Sequence, residues 1–370
     1  MSSEPQYFTE LNNPSLPEFK VELTAVTTNL VPSNVWITGA PLLWSQGING
    51  LGVKVGVIDT GIDASHPDLA SKVLFRRDYV KDGLPQTAYN SHATHVAGTI
   101  AANGRIMGIA PACSLIDYRV LDVNGSGSYA SITQAINDCV TDKVNIINLS
   151  LGGPYDYLPL KTAIKNAVAA GILVVAASGN SGPNTISFPA YYNEVVSVGA
   201  VEFDINTGNI TLPTTPWFSS SNNQVDCASD GYRVLSTVPN NRYAVFTGTS
   251  MSSPAVSGVA ALLSHKARIR TGTKPTEPAL FSYLKTTTID ILNNGVDIIS
   301  GAGFLTFFPE LPKLDAARKW MIPSINTGAP GHPGSAAASG AAASSVVSGL
   351  SDVRQMDVVS EPANENGEKK

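Results

Sequence analysis

The sequence predicts an α/β fold with a central, mostly parallel sheet and helices on both faces. Short apolar runs typical of buried strands alternate along the chain with longer segments of helical period. This strict alternation is the pattern of right-handed βαβ units, in which each crossover helix packs back onto the sheet. With 370 residues and 43% hydrophobic composition, the chain can bury one large core and still carry appendages.

The alternation can be followed element by element. Strands are predicted at 53–58, 114–121, 144–149, 173–177 and 195–200, and helices at 90–102, 129–142, 158–170, 250–265 and 277–286. Between 201 and 245 the pattern indicates short strands and turns, and 298–307 closes the domain.

The two ends of the chain differ in composition from this alternating region. Residues 1–33 are polar and rich in Pro and Asn, and we interpret them as an N-terminal extension to a domain spanning 34–310. Residues 311–370 form a C-terminal segment that from about 323 is Gly, Ala, Ser and Pro with a charged end. We expect a disordered tail there, because this composition cannot offset the entropy of ordering.

Composition and charge exclude several functions. The net charge of -5 without a long basic run argues against nucleic acid or anionic membranes as partners. We expect a cytoplasmic protein, since no segment has the pattern of a signal peptide or a membrane span. The three cysteines, Cys113, Cys139 and Cys227, are odd in number and widely spaced, so we interpret them as buried small residues.

Four polar side chains stand where predicted elements begin or end. Asp59 and Asn180 each follow a predicted strand. His92 lies in the first turn of one predicted helix, and Ser250 begins another that is rich in small residues. Each of these has an ordinary role open to it, since Asp and Asn form turns, helical His packs in cores and Ser caps helices.

Together the four supply what acyl transfer from a peptide needs: a hydroxyl, a base, a group that orients the base and a donor for the oxyanion. Their order along the chain, Asp then His then Ser, argues against an α/β-hydrolase, which places the nucleophile first in G-x-S-x-G. Here Met251 is followed by Ser252 where that motif needs Gly.

Three segments resemble the signatures of subtilisin-like serine proteases: 57–63 (VIDTGID), 92–99 (HATHVAGT) and 248–254 (GTSMSSP). The resemblance covers roughly 31–308 and looks closest to the bacterial intracellular subtilisins, through 42–47, 187–195 and 303–305. It implies the subtilisin-like three-layer fold and a serine endopeptidase that hydrolyses peptide bonds through an acyl-enzyme intermediate.

The resemblance also implies roles for single residues. Ser250 is the nucleophile, His92 the general acid and base, and Asp59 the carboxylate that fixes the imidazole tautomer. Asn180 and the backbone N–H of Ser250 donate to the oxyanion. The chain departs from the family's H-G-T-H at Ala93, where a helical backbone accepts Ala better than Gly, so we expect activity to survive.

By the same resemblance, two segments hold an extended or unfolded polypeptide as an added strand: Gly125, Ser126 and Gly127, and Ser150, Leu151 and Gly152. The pocket for the side chain before the cleaved bond has the second of these as one wall, Ala177, Ser178 and Gly179 as the other, and Ser187 as its floor. Since these residues are small and uncharged, we expect apolar side chains to be preferred.

Three further expectations come from the resemblance. The extension 1–33 regulates access to the site, with Val21, Glu22 and Leu23 pairing at the substrate edge. The chemistry uses no cofactor or metal, and the family's structural calcium site, which would use Asp68, is empty because the loop 103–109 is short. Calcium bound elsewhere stays open. The family's A-P-G turn is replaced by Ser229-Asp230-Gly231.

Two other functions remain open from the residues alone. A catalytically silent binding module could be built on the same fold, in which case Ser250 would not react with a fluorophosphonate. An esterase would hydrolyse simple esters but not denatured protein. The sequence leaves the physiological substrate and the oligomeric state open.

Overall fold

The computed structural model describes residues 7–8, 30–80, 82–83, 90–203 and 213–309. The chain divides into two units, Met1–Asp315 and Ala316–Lys370, and the described residues all belong to the first. Most of the predicted extension and the whole predicted tail therefore lie outside the described residues, and the predicted domain boundaries stay predictions.

Strands and helices follow one another as the alternation predicts. The strands are β1 (Tyr7–Phe8), β2 (Lys54–Asp59), β3 (Val73–Asp78), β4 (Ser114–Arg119), β5 (Gly127–Ser128), β6 (Ile146–Leu149), β7 (Leu173–Ala177), β8 (Val196–Val201), β9 (Val225–Asp230), β10 (Val234–Val238), β11 (Arg242–Phe246), β12 (Thr288–Ile289) and β13 (Phe304–Leu305). The helices are α1 (Ser33–Trp36), α2 (Ala40–Trp44), α3 (Ser91–Ala101), α4 (Tyr129–Thr141), α5 (Leu158–Ala169), α6 (Thr249–Thr271) and α7 (Glu277–Thr286).

One large sheet dominates the described part of the chain. Its nine strands lie in the order β12-β13-β9-β8-β7-β6-β2-β4-β3, and all neighbours are parallel except β12 and β13. β10 and β11 form a separate antiparallel hairpin, and β1 pairs antiparallel with β5. The predicted α/β class with a mostly parallel sheet is confirmed.

Two apolar cores, one on each face, hold helices to this sheet. β6 illustrates the division, because successive side chains of a strand point to opposite faces. Ile146 packs into the core that contains α3 and α6, whereas Ile147 packs into the core that contains α4 and α5. In α6, Gly258 lies so close to Ile109 that an added Cβ would lie 2.7 Å from the Ile109 Cβ. The small residues of α6 therefore let it approach its neighbours closely.

The accuracy of the predicted bounds varies from element to element. The strand at 173–177 and the helix at 277–286 are found as predicted. The predicted end of α6 near 265 is too early, since the helix continues to Thr271 and is closed by Gly272 in a left-handed conformation at φ 74°. β3 has no clear sequence signal, because this edge strand is only partly buried and carries three charged residues. None of the helices described is both long and apolar enough to cross a membrane.

The strand order brings three of the predicted site segments to one edge. β7, β6 and β2 are neighbours, and at their carboxyl ends stand Asn180, Ser150 and Asp59 respectively. β2 lies between β6 and β4. After β2 the chain forms β3 and β4 on one side of it, and it then crosses to the other side to form β6. Ligands of open α/β sheets gather at such a reversal of strand order.

Candidate active site

A buried carboxylate and an imidazole meet at the end of β2. The Nδ1 atom of His92 lies 2.9 Å from both Oδ1 and Oδ2 of Asp59. Asp59 is fully buried and His92 is 4% exposed. Because the carboxylate can only accept, Nδ1 carries the proton and Nε2 keeps a lone pair. This arrangement leaves Nε2 available as a base.

Short hydrogen bonds link the turn after β2 to the start of α3. The N–H of Thr60 donates to Asp59 Oδ1 at 2.6 Å, and Thr60 Oγ1 accepts from the N–H of Ala93 at 3.1 Å. Asn90 is the N-cap of α3, and its side chain accepts from the N–H of His92 at 2.9 Å. The carboxylate and the imidazole are thus held from both sides. Sequence reasoning did not identify Thr60, although its position directly after Asp59 in the turn was a signal.

Ser250 is the second residue of α6 and not its cap. The cap is Gly248, which makes no side-chain hydrogen bond, so the alternative role of Ser250 as an N-cap is wrong. The Ser250 hydroxyl donates to the carbonyl of Ser150 at 3.2 Å. Among the residues that the structure describes, no hydrogen bond joins this hydroxyl to His92. Both residues remain slightly exposed, Ser250 at 5%.

Pro254 lies in the second turn of α6, which begins at Thr249. A proline has no N–H, so the carbonyl four residues earlier, that of Ser250, loses its helical partner. The hydroxyl of Ser150 replaces it, donating to the Ser250 carbonyl at 2.9 Å. Ser250 and Ser150 therefore exchange two hydrogen bonds that fix the nucleophile helix against the end of β6.

A buried asparagine that sequence reasoning missed supports this exchange. Asn148 Nδ2 donates to Ser150 Oγ at 2.9 Å, and its Oδ1 accepts from the hydroxyls of Ser253 and Ser257, each at 2.9 Å. Asn148 is fully buried. The signal was present, because Asn148 is a polar residue in an otherwise apolar strand, where an unpaired amide would be costly.

The amide of Asn180 is oriented by the residue before Ser250. Its Oδ1 accepts from both the N–H and the hydroxyl of Thr249, each at 2.9 Å. Since the oxygen is used in this way, the NH₂ group is left to point elsewhere as a donor. Ser250 lies in the first turn of α6, so its own N–H has no acceptor four residues earlier within the helix. Asn180 is thus held, through Thr249, against the first turn of the helix that carries Ser250.

The predicted substrate segments lie along two edges beside these groups. Gly127 is in β5, and Gly125 lies in the preceding turn with a positive φ of 77°. Ser150 and Leu151 are buried, as is Gly152. The Ser150 carbonyl, which the Ser250 hydroxyl reaches, belongs to the second edge.

The predicted pocket walls and floor also meet. A Cβ added at Gly179 would lie 3.1 Å from the Cβ of Ser187, and φ at Gly179 is 112°. Ala177 and Ser178 are fully buried, and the Ser178 hydroxyl donates to the carbonyl of Ser220 at 2.9 Å. Ser187 itself is partly exposed. The floor and the second wall are in contact, and neither carries a charge.

Comparison with known proteins agrees with this arrangement. The sequence profile of the subtilase family, peptidase S8, matches residues 50–303. The chain belongs to the subtilase family. It is therefore a serine-type endopeptidase, and it acts on polypeptides.

Among its relatives is an intracellular serine protease of Paenibacillus polymyxa, 42% identical over 299 residues, or 77% of this chain and 89% of the relative. The major intracellular serine protease of Bacillus subtilis is 41% identical over 292 residues, or 75% and 88%. Subtilisin DY of Bacillus licheniformis is 42% identical over 243 residues, or 64% and 85%.

The second histidine of this subtilase's family motif is a packing residue. His95 is fully buried, its ring stacks on Phe246 at 4.4 Å, and its Nε2 lies 2.9 Å from the carbonyl of Val234. Burial lowers the pKa of His95 to about 3. It is therefore neutral at ordinary pH, as expected for a core histidine.

The Ser229-Asp230-Gly231 segment, where this subtilase departs from the family, packs against the nucleophile helix, and its first two residues are the last two of β9. The Gly231 carbonyl accepts from the N–H of Gly248 at 2.8 Å, and the Ser229 carbonyl accepts from the Ser252 hydroxyl at 3.2 Å. The Asp230 side chain accepts from the N–H of Tyr232 at 3.1 Å, and burial raises the pKa of this carboxyl to about 7. The backbone of the segment thus makes these contacts with the start of α6.

Asp68, which would hold calcium in relatives, already binds three donors. Its Oδ1 accepts from the N–H of Arg105 at 2.9 Å, and its Oδ2 accepts from the N–H of Ile106 and the hydroxyl of Tyr243, each at 3.0 Å. Calcium needs six to eight oxygen ligands, whereas the groups that face this carboxylate are N–H and O–H donors. The residues present do not fit the ion at this position.

The exchange between Ser150 and Ser250 generates a prediction about stability. In a Ser250→Ala background, which excludes self-digestion, Ser150→Ala leaves the Ser250 carbonyl without its donor and costs about 1–3 kcal/mol of unfolding free energy. Pro254→Ala supplies the missing N–H, so the cost of Ser150→Ala should shrink in that background. Urea unfolding measures the cost of Ser150→Ala in both backgrounds.

Ser257→Ala, which also loses a hydroxyl bonded to Asn148, is the control, and it should cost the same unfolding free energy with Pro or Ala at position 254. Equal costs of Ser150→Ala in the two backgrounds would contradict the role of Pro254.

A second prediction concerns Asp68. In the same Ser250→Ala background, Asp68→Ala removes an acceptor of three hydrogen bonds and should lower the unfolding free energy by about 3 kcal/mol. The loss should be equal in calcium and in chelator, because no ion is involved. Tyr243→Phe, which removes one of the three donors, is the control for the hydrogen bonds alone. A loss several-fold larger in calcium than in chelator would show that Asp68 does bind the ion.

Proposed function

We propose that this subtilase hydrolyses peptide bonds of extended or unfolded polypeptides through Ser250, His92 and Asp59, with Asn180 in the oxyanion hole. The observation that carries the proposal is the buried Asp59 carboxylate bonded to His92 Nδ1, which leaves Nε2 as a base close to an exposed edge. Family membership makes a serine nucleophile necessary, and Ser250 is the serine in the matching motif.

In the proposed reaction the Ser250 hydroxyl turns from the Ser150 carbonyl toward His92 Nε2. Nε2 takes the proton as Oγ attacks the carbonyl carbon of the substrate, and the imidazolium then returns the proton to the departing amine. Water repeats these steps on the acyl-enzyme and releases the acid. Asp59 keeps the proton on Nδ1 throughout and stabilises the imidazolium.

The oxyanion would be bound by Asn180 Nδ2 and the N–H of Ser250. Thr249 supports this, because its two donors hold the amide oxygen of Asn180 and so fix the direction of the NH₂ group. In another member of this family, loss of one such donor lowers turnover about 10²–10³-fold, and removal of the Asn180 amide should have an effect of the same order.

Ser250→Ala should abolish hydrolysis of casein, because the variant lacks the hydroxyl of the proposed nucleophile. A fluorophosphonate should label Ser250 of the parent, and activity should rise with pH as the His92 imidazole loses its proton. Ser252→Ala is the matched control, since the Ser252 hydroxyl bonds the Ser229 carbonyl, and it should keep most activity. Casein digestion by Ser250→Ala at near the parent rate, or a pH profile flat from 5 to 9, would refute the assignment.

The substrate pocket is proposed to prefer apolar side chains before the cleaved bond, since Gly179, Ala177 and Ser187 offer no charge. Ser187→Asp should place a carboxylate on the floor and raise kcat/KM for Arg or Lys relative to Leu by about tenfold, as expected of an ion pair near a protein surface. Ser187→Asn, equal in size and uncharged, should not do so. Peptide libraries report the ratio, and strict cleavage after Arg or Lys by the parent would contradict the proposal.

The extension is proposed to compete with substrate for the first edge. Its described residues support this, because β1 pairs antiparallel with β5, with Tyr7 opposite Ser128 and Phe8 opposite Gly127. Gly127 is one of the residues predicted to bind an added strand. The segment that sequence reasoning favoured for this pairing, 21–23, lies outside the described residues.

Deletion of residues 1–33 should therefore lower KM or raise kcat/KM for peptides. Phe8→Pro should do the same in the full chain, since proline removes a backbone donor and disfavours strand pairing. The matched control is Phe8→Ala, which keeps the backbone N–H. If both the deletion and the proline variant match the parent in turnover and in proteolytic processing of the chain itself, the extension does not regulate the site.

An intracellular location is also proposed. Two relatives are named intracellular proteases. The net negative charge of this chain, which has no long basic run, gives no reason to expect nucleic acid or membrane partners. Cell fractionation tests this, and recovery of the protein in the culture medium of intact cells would contradict it.

A further inference from the structure

A buried ion pair lies beside the turn that carries Asp59. Arg76 on β3 and Asp117 on β4 stand opposite each other in the sheet, and Arg76 Nε donates to Asp117 Oδ2 at 2.6 Å. The side chain of Asp117 is fully buried and that of Arg76 is 13% exposed. An ion pair removed from water in this way is often no more stabilising than an apolar pair of the same volume. Stability alone therefore does not explain why an ion pair is buried here among apolar neighbours, and we looked for another role.

The ion pair holds both backbone polar groups of one residue. The N–H of Ile62 donates to Asp117 Oδ2 at 2.9 Å, and the carbonyl of Ile62 accepts from Arg76 Nη2. Ile62 is fully buried, and the residue before it, Gly61, has a φ of 101° that favours glycine. Arg76 and Asp117 thus act as a clamp on the turn 60–62, three residues from the candidate catalytic carboxylate.

The clamped turn contacts both members of the His92 and Asp59 pair. Thr60 donates its N–H to Asp59 and accepts at its hydroxyl from the N–H of Ala93, the residue after His92. A shift of Ile62 would therefore move the carboxylate and the first turn of α3 relative to each other. Positioning of this kind matters, because misplacement of catalytic groups by about 1 Å can cost about 10²-fold in rate.

The Asp117 carboxyl is itself affected by burial and by neighbouring charges. Its Oδ1 is buried without a hydrogen-bond partner, and burial raises the pKa of the carboxyl to about 6, with Asp59 adding to the rise and Arg76 opposing it. β2, β3 and α3 all contact β4. Of the two Asp117 oxygens, only Oδ2 is bonded, and it is the one that holds both Ile62 and Arg76.

We propose that Arg76 and Asp117 are positioning residues of this peptidase, which hold Ile62 so that Asp59 presents the His92 imidazole to Ser250. The inference rests on the proposed catalytic roles of Asp59, His92 and Ser250. It assigns a role in turnover to one residue of β3 and one of β4 that do not contact substrate.

Asp117→Ala and Asp117→Asn test the hold on Ile62. Asp117→Ala should lower kcat about tenfold or more with KM within twofold, because the chemical step and not substrate binding depends on Ile62. Asn keeps an oxygen that can accept from the N–H of Ile62, so Asp117→Asn should recover part of kcat with KM again within twofold.

Arg77→Ala is the matched control. Arg77 is the next residue of β3 and forms an ion pair with Asp142 at 2.6 Å, but it faces away from the site and is 40% exposed. It should leave kcat and KM unchanged. Fluorophosphonate titration gives the active-site concentration for each variant, and circular dichroism shows that it is folded. If Asp117→Ala does not fold, Asp117→Asn decides through a kcat lower than that of Arg77→Ala at an unchanged KM.

The outcomes distinguish this inference from the proposed function. Activity retained by Ser250→Ala would overturn the proposed function, and the positioning role with it. Loss of activity in Ser250→Ala, together with a kcat of the Asp117 variants equal to that of Arg77→Ala, would overturn the positioning role alone. A tenfold lower kcat in Asp117→Ala at an unchanged KM, with partial recovery in Asp117→Asn, would support it.

Discussion

The hydrogen bond between Asp59 and His92 is the interaction on which the candidate site depends. A carboxylate that is fully buried is costly unless its oxygens are bonded, and both oxygens of Asp59 face the imidazole while one also accepts from Thr60. This requirement explains why β2 ends at Asp59 and why α3 begins opposite it. β2 lies inside the sheet, between β6 and β4, and this position supplies the apolar surroundings that make the bond strong.

The nucleophile helix is held by polar contacts inside an apolar core. α6 is buried along most of its length, so its packing alone would let it slide along its axis by small amounts. Pro254 removes one helical hydrogen bond, and the Ser150 and Asn148 side chains use the freed carbonyl and the hydroxyls of Ser253 and Ser257. Hydrogen bonds to residues of the sheet are directional, so they set the height of Ser250 above the sheet. Dispersion contacts between apolar surfaces are not directional and do not set it.

The proposed substrate edges use the same elements that build the site. Ser150 follows β6, bonds Ser250 and belongs to one predicted edge, so a strand added there would lie within reach of the nucleophile. β5 forms the other predicted edge and already pairs with β1. An edge strand that offers free backbone groups binds any suitable extended segment, whether from a substrate or from the chain itself. The proposed regulation by the extension would follow from a substrate site of this kind.

The sequence by itself determined the α/β class and most buried elements, and it predicted Asp59, His92, Asn180 and Ser250 as the site. These are local properties, because apolar periodicity and short motifs are carried by neighbouring residues. Only the tertiary structure decided that Asn148 supports Ser150, that Asp68 binds three donors, and that Arg76 and Asp117 clamp Ile62. The reason is physical: those hydrogen bonds join residues up to 175 positions apart in the chain, as between Tyr243 and Asp68, and no local pattern specifies which buried donor will meet which acceptor.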